Sequence, residues 1–173
     1  VAAALTPLLA SAAAVLLIAG AAKLRAPGGA VLALRTLGLP AGSTPVRLLA
    51  MTEMVLGSAC LVHPVAAIVC AVALLYATFA VVGLVLSRRH SACGCFGDAQ
   101  TPASLAQSII SALLAAIALG GALASAHGVD WVLGRSLGGA LALLAAIAGS
   151  AYATVLAYTE LPSAWVAWEP SRR

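Results

Sequence analysis

Long apolar runs separated by short polar breaks pattern this chain, and the breaks, rather than an amphipathic period, mark its elements. Residues 1–22 carry no formal charge and end at Lys23 and Arg25. At about 1.5 Å per residue they cover a hydrocarbon layer of about 30 Å, which predicts a first transmembrane helix near residues 3–24. The run is longer than the apolar part of a cleavable leader and has no basic stretch ahead of it, so it reads as a helix that stays. Ala26, Pro27, Gly28 and Gly29 break it. Ala30 to Leu39, with Arg35 inside and Gly38 and Pro40 at the end, predicts a short interfacial or re-entrant helix that cannot span.

Between Glu53 and Arg88 there is no Asp, Glu, Lys or Arg, a stretch too long for one crossing, and His63-Pro64 is its natural break. Two antiparallel helices are expected, near residues 46–62 and 65–86. Residues 87–103 are the most polar stretch. A fourth helix follows near 104–125, a loop with Asp130 and Trp131, and a fifth helix near 137–158. A polar tail over 159–173 carries Trp165 and Trp168, residues suited to a membrane interface. The fold class is an all-α polytopic membrane protein. Residues 1–158 form one domain, a four-helix transmembrane bundle with a fifth transmembrane helix and the short helix between the first two.

Composition points the same way. Of 173 residues 63% are hydrophobic and 8% charged, against roughly 25% charged in a soluble domain. A mean hydropathy of +1.09 leaves too little polar surface to cover a water-soluble globule, so the lipid bilayer is the expected solvent. The net charge of +4 does not imply nucleic acid, because nine scattered basic residues make neither a groove-lining patch nor a stacking platform. Charge placement across a membrane explains the excess better. With the N-terminus outside, the inner set is Lys23, Arg25, Arg35, Arg47, Arg88, Arg89, Arg172 and Arg173, against Arg135 alone outside. That bias sets the loop after the third helix at the cytoplasmic end. Nothing repeats in the manner of an inverted-repeat transporter.

The sharpest chemical signal is Cys93-Gly94-Cys95-Phe96-Gly97. Two thiols one residue apart can reach the roughly 4.4–6.8 Å Cα separation of a disulfide if the backbone between them bends tightly, and Gly94 permits the bend. So small a ring removes little chain entropy and stores strain, which suits a reducible, redox-active pair better than a structural staple. Arg88, Arg89 and His90 would stabilise a thiolate, with Asp98 opposing. The competing readings are inert thiols or a metal clip. Cys93, Cys95 and His90 supply only three ligands, and a structural zinc takes four, so no metal is expected.

Cys60 and Cys70 flank the short hairpin and could form a second redox pair at the opposite end of the bundle, although buried thiols in Ala-rich helices commonly just pack. Glu53 lies within a predicted span, where an ionisable group must face the bundle and find a partner. Lys23, at the same membrane face, has the reach. Two roles are open for Glu53: a proton carrier for thiol chemistry, or half of an ion pair fixing helix packing. Tyr76 and Phe79 read as packing residues.

Lys23-Leu24 followed by Pro27, Glu53 in the second helix, and Cys93 to Gly97 after the third resemble the MauE branch of the DoxX-like membrane proteins, over roughly residues 5–125. The resemblance implies a small multi-helix protein of the bacterial cytoplasmic membrane that works with a thioredoxin-like partner where extracytoplasmic disulfides must form. It implies Cys93 and Cys95 as the redox pair and Glu53 and Lys23 as the family's polar intramembrane residues. The family's partner acts outside the membrane, whereas the basic residues set the loop inside. The expected function is therefore a membrane thiol–disulfide oxidoreductase exchanging reducing equivalents with a thioredoxin-like protein through the Cys-Gly-Cys pair, with no cofactor required. The alternatives are a quinone-linked dithiol oxidoreductase of the vitamin K epoxide reductase type, and a non-catalytic membrane subunit that docks a partner through the CGCFG loop.

Overall fold

The computed structural model describes residues 2–89, 91, 94 and 103–168, with side chains described as far as residue 161. All regular structure among these residues is helical: α1 (Ala2–Arg25), α2 (Gly28–Thr36), α3 (Ser43–Val62), α4 (Ala66–Arg88), α5 (Leu105–Leu123), α6 (Val129–Leu133) and α7 (Leu137–Trp168). Five of them, α1, α3, α4, α5 and α7, are long and apolar enough to cross a membrane. The chain is a multi-pass membrane protein. Its first four spans begin and end within a few residues of the polar breaks, because a span can only stop where the backbone meets water or a residue that cannot continue it.

α2 is nine residues long, about 13 Å at the helical rise, so it cannot cross. The end of α1 and the start of α3 therefore share one end of the bundle. By alternation, the end of α4, the start of α5 and the end of α7 lie there too. Lys23, Arg25, Arg35, Arg47, Arg88 and Arg89 are at this end and Arg135 at the other, while Arg172 and Arg173 lie outside the described residues.

α1 is the central helix. It packs along α3 and also meets α5 and α7, and α4 packs along α5. Leu9, Ala12, Ala13 and Leu16 of α1 meet Cys60 of α3, Val69, Val72 and Tyr76 of α4, Leu114 and Ala118 of α5, and Ala151 and Tyr158 of α7 in one core. Leu48, Val55, Leu74, Val81, Leu113 and Leu141 point outward, as expected where lipid is the solvent. At Gly20 a Cβ would come within 2.8 Å of the Ala50 carbonyl oxygen and within 3.3 Å of the Glu53 Cβ. The missing side chain lets α1 and α3 approach closely at the level of Glu53, the packing mode that small residues give membrane helices.

Two elements differ from the sequence expectation. The segment with Asp130 and Trp131 is not wholly loop but includes the single-turn helix α6. There Trp131 stacks on His127 and lies under the Arg135 guanidinium, contacts that order a segment too short to show a period. The polar tail placed at 159–173 is helical as far as Trp168, because α7 runs ten residues past the expected end. Pro162 lies within this extension and has no N–H to donate to the Tyr158 carbonyl. That carbonyl instead accepts a 2.8 Å hydrogen bond from Gln107 Nε2 of α5, so the helix passes the proline without a buried unsatisfied acceptor. Trp165 and Trp168 lie on this extension.

Gln107 also closes the start of α5. Its Oε1 accepts from the Ser104 N–H at 3.0 Å, while the Ser104 hydroxyl accepts from the Gln107 N–H, a reciprocal cap. Gln107→Leu removes the cap's side-chain half and the 2.8 Å hydrogen bond to the Tyr158 carbonyl. It is expected to lower stability by about 2 kcal/mol, measured as a lower unfolding midpoint in detergent, with hydrogen exchange rising first in α7 beyond Tyr158.

Candidate functional site

The site lies at the end of the bundle that carries the basic residues. Lys23, in the last turn of α1, and Glu53, in the middle of α3, meet there. Lys23 Nζ donates to both carboxylate oxygens, at 2.8 Å to Oε1 and 2.9 Å to Oε2. Glu53 is fully buried and Lys23 is 4% exposed. The Lys23 ammonium also lies 5.3 Å from the centre of the Phe79 ring, which stands edge-on to Tyr76. Tyr76 donates its hydroxyl to the Ala12 carbonyl at 2.7 Å, which pins α4 to α1 beside the pair. Two opposite charges so deep in an apolar bundle persist only together, because either one alone would be desolvated without compensation.

α2 closes this end. Thr36, its last residue, is held twice: its hydroxyl is 3.0 Å from the Ser91 hydroxyl, and its carbonyl accepts from the Arg89 guanidinium. Arg89, expected near a thiolate, is thus engaged at the C-terminal end of α2, where cations are favoured, and Arg88 is exposed. The Ala103 N–H donates to the Ser91 carbonyl at 2.8 Å, so the chain leaves and re-enters the bundle at neighbouring points.

Gly94 is buried against the opposite end of α2, with φ at +64°. Its α-carbon faces Gly29 and Ala30: a Cβ there would overlap the Gly29 carbonyl and come within 2.5 Å of the Ala30 nitrogen. Gly94 thus adopts the left-handed backbone conformation that glycine permits. It sits on the first turn of a helix, where the N–H groups of Gly28, Gly29 and Ala30 precede the first intrahelical bond, from Val31 to the Pro27 carbonyl. Cys93 and Cys95 themselves, with His90 and Asp98, lie outside the described residues.

Behind Gly94 is a cavity of about 230 Å³. Its wall includes Leu16, Ala33, Val46 and Phe79 and is almost wholly apolar. Lys23 contributes from α1, and Ser111 with Tyr158 from α5 and α7. The Ser111 and Tyr158 hydroxyls are 2.6 Å apart. The sequence carried no sign of this cavity, or of Ser111, Tyr158 and the α2 N-terminus as parts of the site, because these three come from segments far apart in the chain.

The structure thus brings Lys23, Glu53 and the glycine between the two cysteines to one end of the bundle. It does not join Cys60 to Cys70: both are free thiols, Cys60 buried in the core and Cys70 exposed on α4. Among the described residues, no three His, Cys, Asp or Glu side chains converge as metal ligands.

The model of one protein family, described as methylamine utilisation protein MauE, matches residues 2–125, which take in α1 to α5 and every site residue named above except Tyr158. Searches of the curated proteins and of the solved structures find no match.

Proposed function

Because the chain belongs to the MauE family of membrane proteins, and Gly94 of the Cys-Gly-Cys sequence lines the same cavity as Lys23 of the buried ion pair, we propose that it is a membrane thiol–disulfide oxidoreductase. It exchanges reducing equivalents with a thioredoxin-like partner through Cys93 and Cys95, in support of protein maturation. One observation carries this reading: Gly94, bent at positive φ, is seated on the N-terminal turn of α2. The partial positive charge of those N–H groups favours a thiolate nearby, and the thiolate is the form that attacks. The expected thiolate-stabilising role of Arg88, Arg89 and His90 passes in part to that turn, since Arg89 holds Thr36.

In the proposed exchange the thiolate of a partner dithiol attacks the Cys93–Cys95 disulfide. A mixed disulfide forms and one cysteine leaves as thiolate. The partner's second thiolate then attacks the mixed disulfide, leaving the partner oxidised and Cys93 and Cys95 reduced. Two electrons pass to the membrane protein. Glu53, held by Lys23, serves this exchange as a proton carrier or fixes the packing of α1 on α3 as half of an ion pair. The six basic residues at this end support placing it at the cytoplasmic face of a bacterial cytoplasmic membrane.

The test is the thiol state of all four cysteines, read by mass after alkylation in oxidant and in reductant. Cys93 and Cys95 are expected to be joined in oxidant and free in reductant, with Cys60 and Cys70 unjoined in both. Reduced thioredoxin should convert the joined form to the free form. A pair never found joined, or one released only by a zinc chelator, would overturn the proposal. A membrane-impermeant maleimide, applied to intact cells and then to opened ones, reports the side: labelling of Cys93 and Cys95 only after opening is the result expected.

A further inference from the structure

We propose that the cavity between α3 and α4 seats one acyl chain of an anionic phospholipid, whose phosphate meets Arg35 and Arg47 at the basic end of the bundle. The site does not depend on the thiol exchange proposed above.

The wall decides what can lie inside. Its described polar side chains are Lys23, Tyr76, Thr78, Ser111 and Tyr158, and each has a partner. Glu53 takes two of the Lys23 ammonium protons, and the ammonium also stands over the Phe79 ring. Tyr76 and Thr78 donate to the Ala12 and Leu74 carbonyls, and the Ser111 and Tyr158 hydroxyls hold each other. A polar ligand would lose its water and find no group in this wall waiting for it. A hydrocarbon gives up no hydrogen bond and gains the contacts of the apolar lining.

Length and width point to a single chain. Along α1 the wall runs from Val15 to Lys23, eight residues apart and so about 12 Å. One leaflet is half of a hydrocarbon core about 30 Å thick, so the cavity reaches from the basic end toward the middle of the bilayer, as an acyl chain does. Its volume is about 230 Å³, above the ~150 Å³ that admits benzene and below the ~300–1,000 Å³ of drug-sized ligand sites. A space so long for its volume is narrow, and it holds one chain rather than two.

Access is from the bilayer. α3 and α4 leave the His63-Pro64 turn together but pack on different helices, α3 chiefly on α1 and α4 chiefly on α5. Val46 and Leu49 line the cavity from α3, and Leu75, Thr78, Phe79 and Val82 from α4. Thr78 is exposed and Leu49 and Leu75 are half-buried, so the wall is continuous with the outer surface of the spans, where the solvent is lipid. Charge selects the headgroup. Leu34 and Val46 belong to the wall, and each is followed directly by an exposed arginine, Arg35 on α2 and Arg47 on α3. Guanidinium groups there pair with a phosphate in the headgroup layer and favour an anionic lipid over a zwitterionic one. The lipid's other chain stays outside, and the seated chain keeps water from Lys23 and Glu53.

The test uses the full chain in phosphatidylcholine nanodiscs, with a phosphatidylglycerol bearing a photoreactive group in its acyl chain as probe, the labelled residues being mapped by mass. Labelling is expected on wall residues such as Leu16, Leu49 and Phe79, and excess phosphatidylglycerol should compete better than added phosphatidylcholine. Ala33→Leu, which fills the cavity, should weaken labelling about tenfold, as leaving about two methylene groups of the chain outside would do. Thr78→Trp, which blocks the open side from an exposed position and leaves the core untouched, should weaken it as well. Arg35→Gln and Arg47→Gln should each cut the preference for phosphatidylglycerol over phosphatidylcholine about fivefold. Wild-type labelling in the folded Thr78→Trp protein, labelling confined to outward positions such as Leu48 and Leu74, equal competition by the two phospholipids, competition by free fatty acid alone, or an unchanged lipid preference without both arginines would each overturn the proposal.

Discussion

Lys23→Met is expected to destabilise the protein by about 3–5 kcal/mol, the loss found when one partner of a buried ion pair is removed and the other is left uncompensated. Glu53 is fully buried and takes two of the three ammonium protons of Lys23. Without Lys23, the fully buried carboxylate has no ion-pair partner among the described residues. Glu53→Met should cost a similar amount for the same reason. The double variant Lys23→Met/Glu53→Met should recover most of the loss, because two apolar side chains of comparable length fill the same space with no charge to desolvate. Unfolding midpoints of the four proteins in one detergent give the coupling energy directly. A double variant no more stable than either single would show that the two charges do not depend on each other. The same proteins separate the two roles open for Glu53. If the pair only fixes packing, the stable double variant exchanges thiols at the wild-type rate; if it carries protons, the variant folds and exchanges slowly.

Gly94→Ala is expected to abolish most of the thiol exchange while leaving the bundle folded. Positive φ costs an L-residue about 1–2 kcal/mol. The larger obstacle is the backbone of α2, since the added Cβ would overlap the Gly29 carbonyl and press on the Ala30 nitrogen, neither of which is a flexible side-chain tip. Gly94 must then leave its seat on α2 and its place in the cavity wall. A loss of about 100-fold in exchange rate with thioredoxin matches a displacement of this kind. Circular dichroism and the unfolding midpoint should change little, because Gly94 belongs to the loop and not to the core around α1. Wild-type exchange in the folded variant would show that the seat on α2 has no part in the chemistry.

Much of the architecture is visible in the order of residues, and for a physical reason. In lipid, a helix must satisfy its own backbone groups, so an apolar run long enough to cross is a helix whatever its neighbours are. The breaks at Pro27, His63-Pro64 and residues 87–103 therefore separate spans in the structure as they do in the chain. The length of α7 was not legible, because what carries it past Pro162 is Gln107, more than fifty residues earlier. Of the site, the meeting of Lys23 with Glu53 could be reasoned out, since a buried carboxylate needs a cation and one stands at the same depth. Arg89 shows the limit: nothing in its position along the chain shows that its guanidinium holds the Thr36 carbonyl at the end of α2.

Solvent preference and chain connectivity were enough to establish five crossings, a shared end for the basic residues and the cysteine loop, and the need for a partner to Glu53, because each follows from the cost of exposing backbone or charge to hydrocarbon. The seat of Gly94 on α2, the separation of Cys60 from Cys70 into core and surface, and the cavity between Lys23 and Tyr158 depend on how helices rotate and approach one another. That rotation is set by close contacts such as Gly20 against Ala50, and in helices apolar on every side no one-dimensional pattern records which face turns inward.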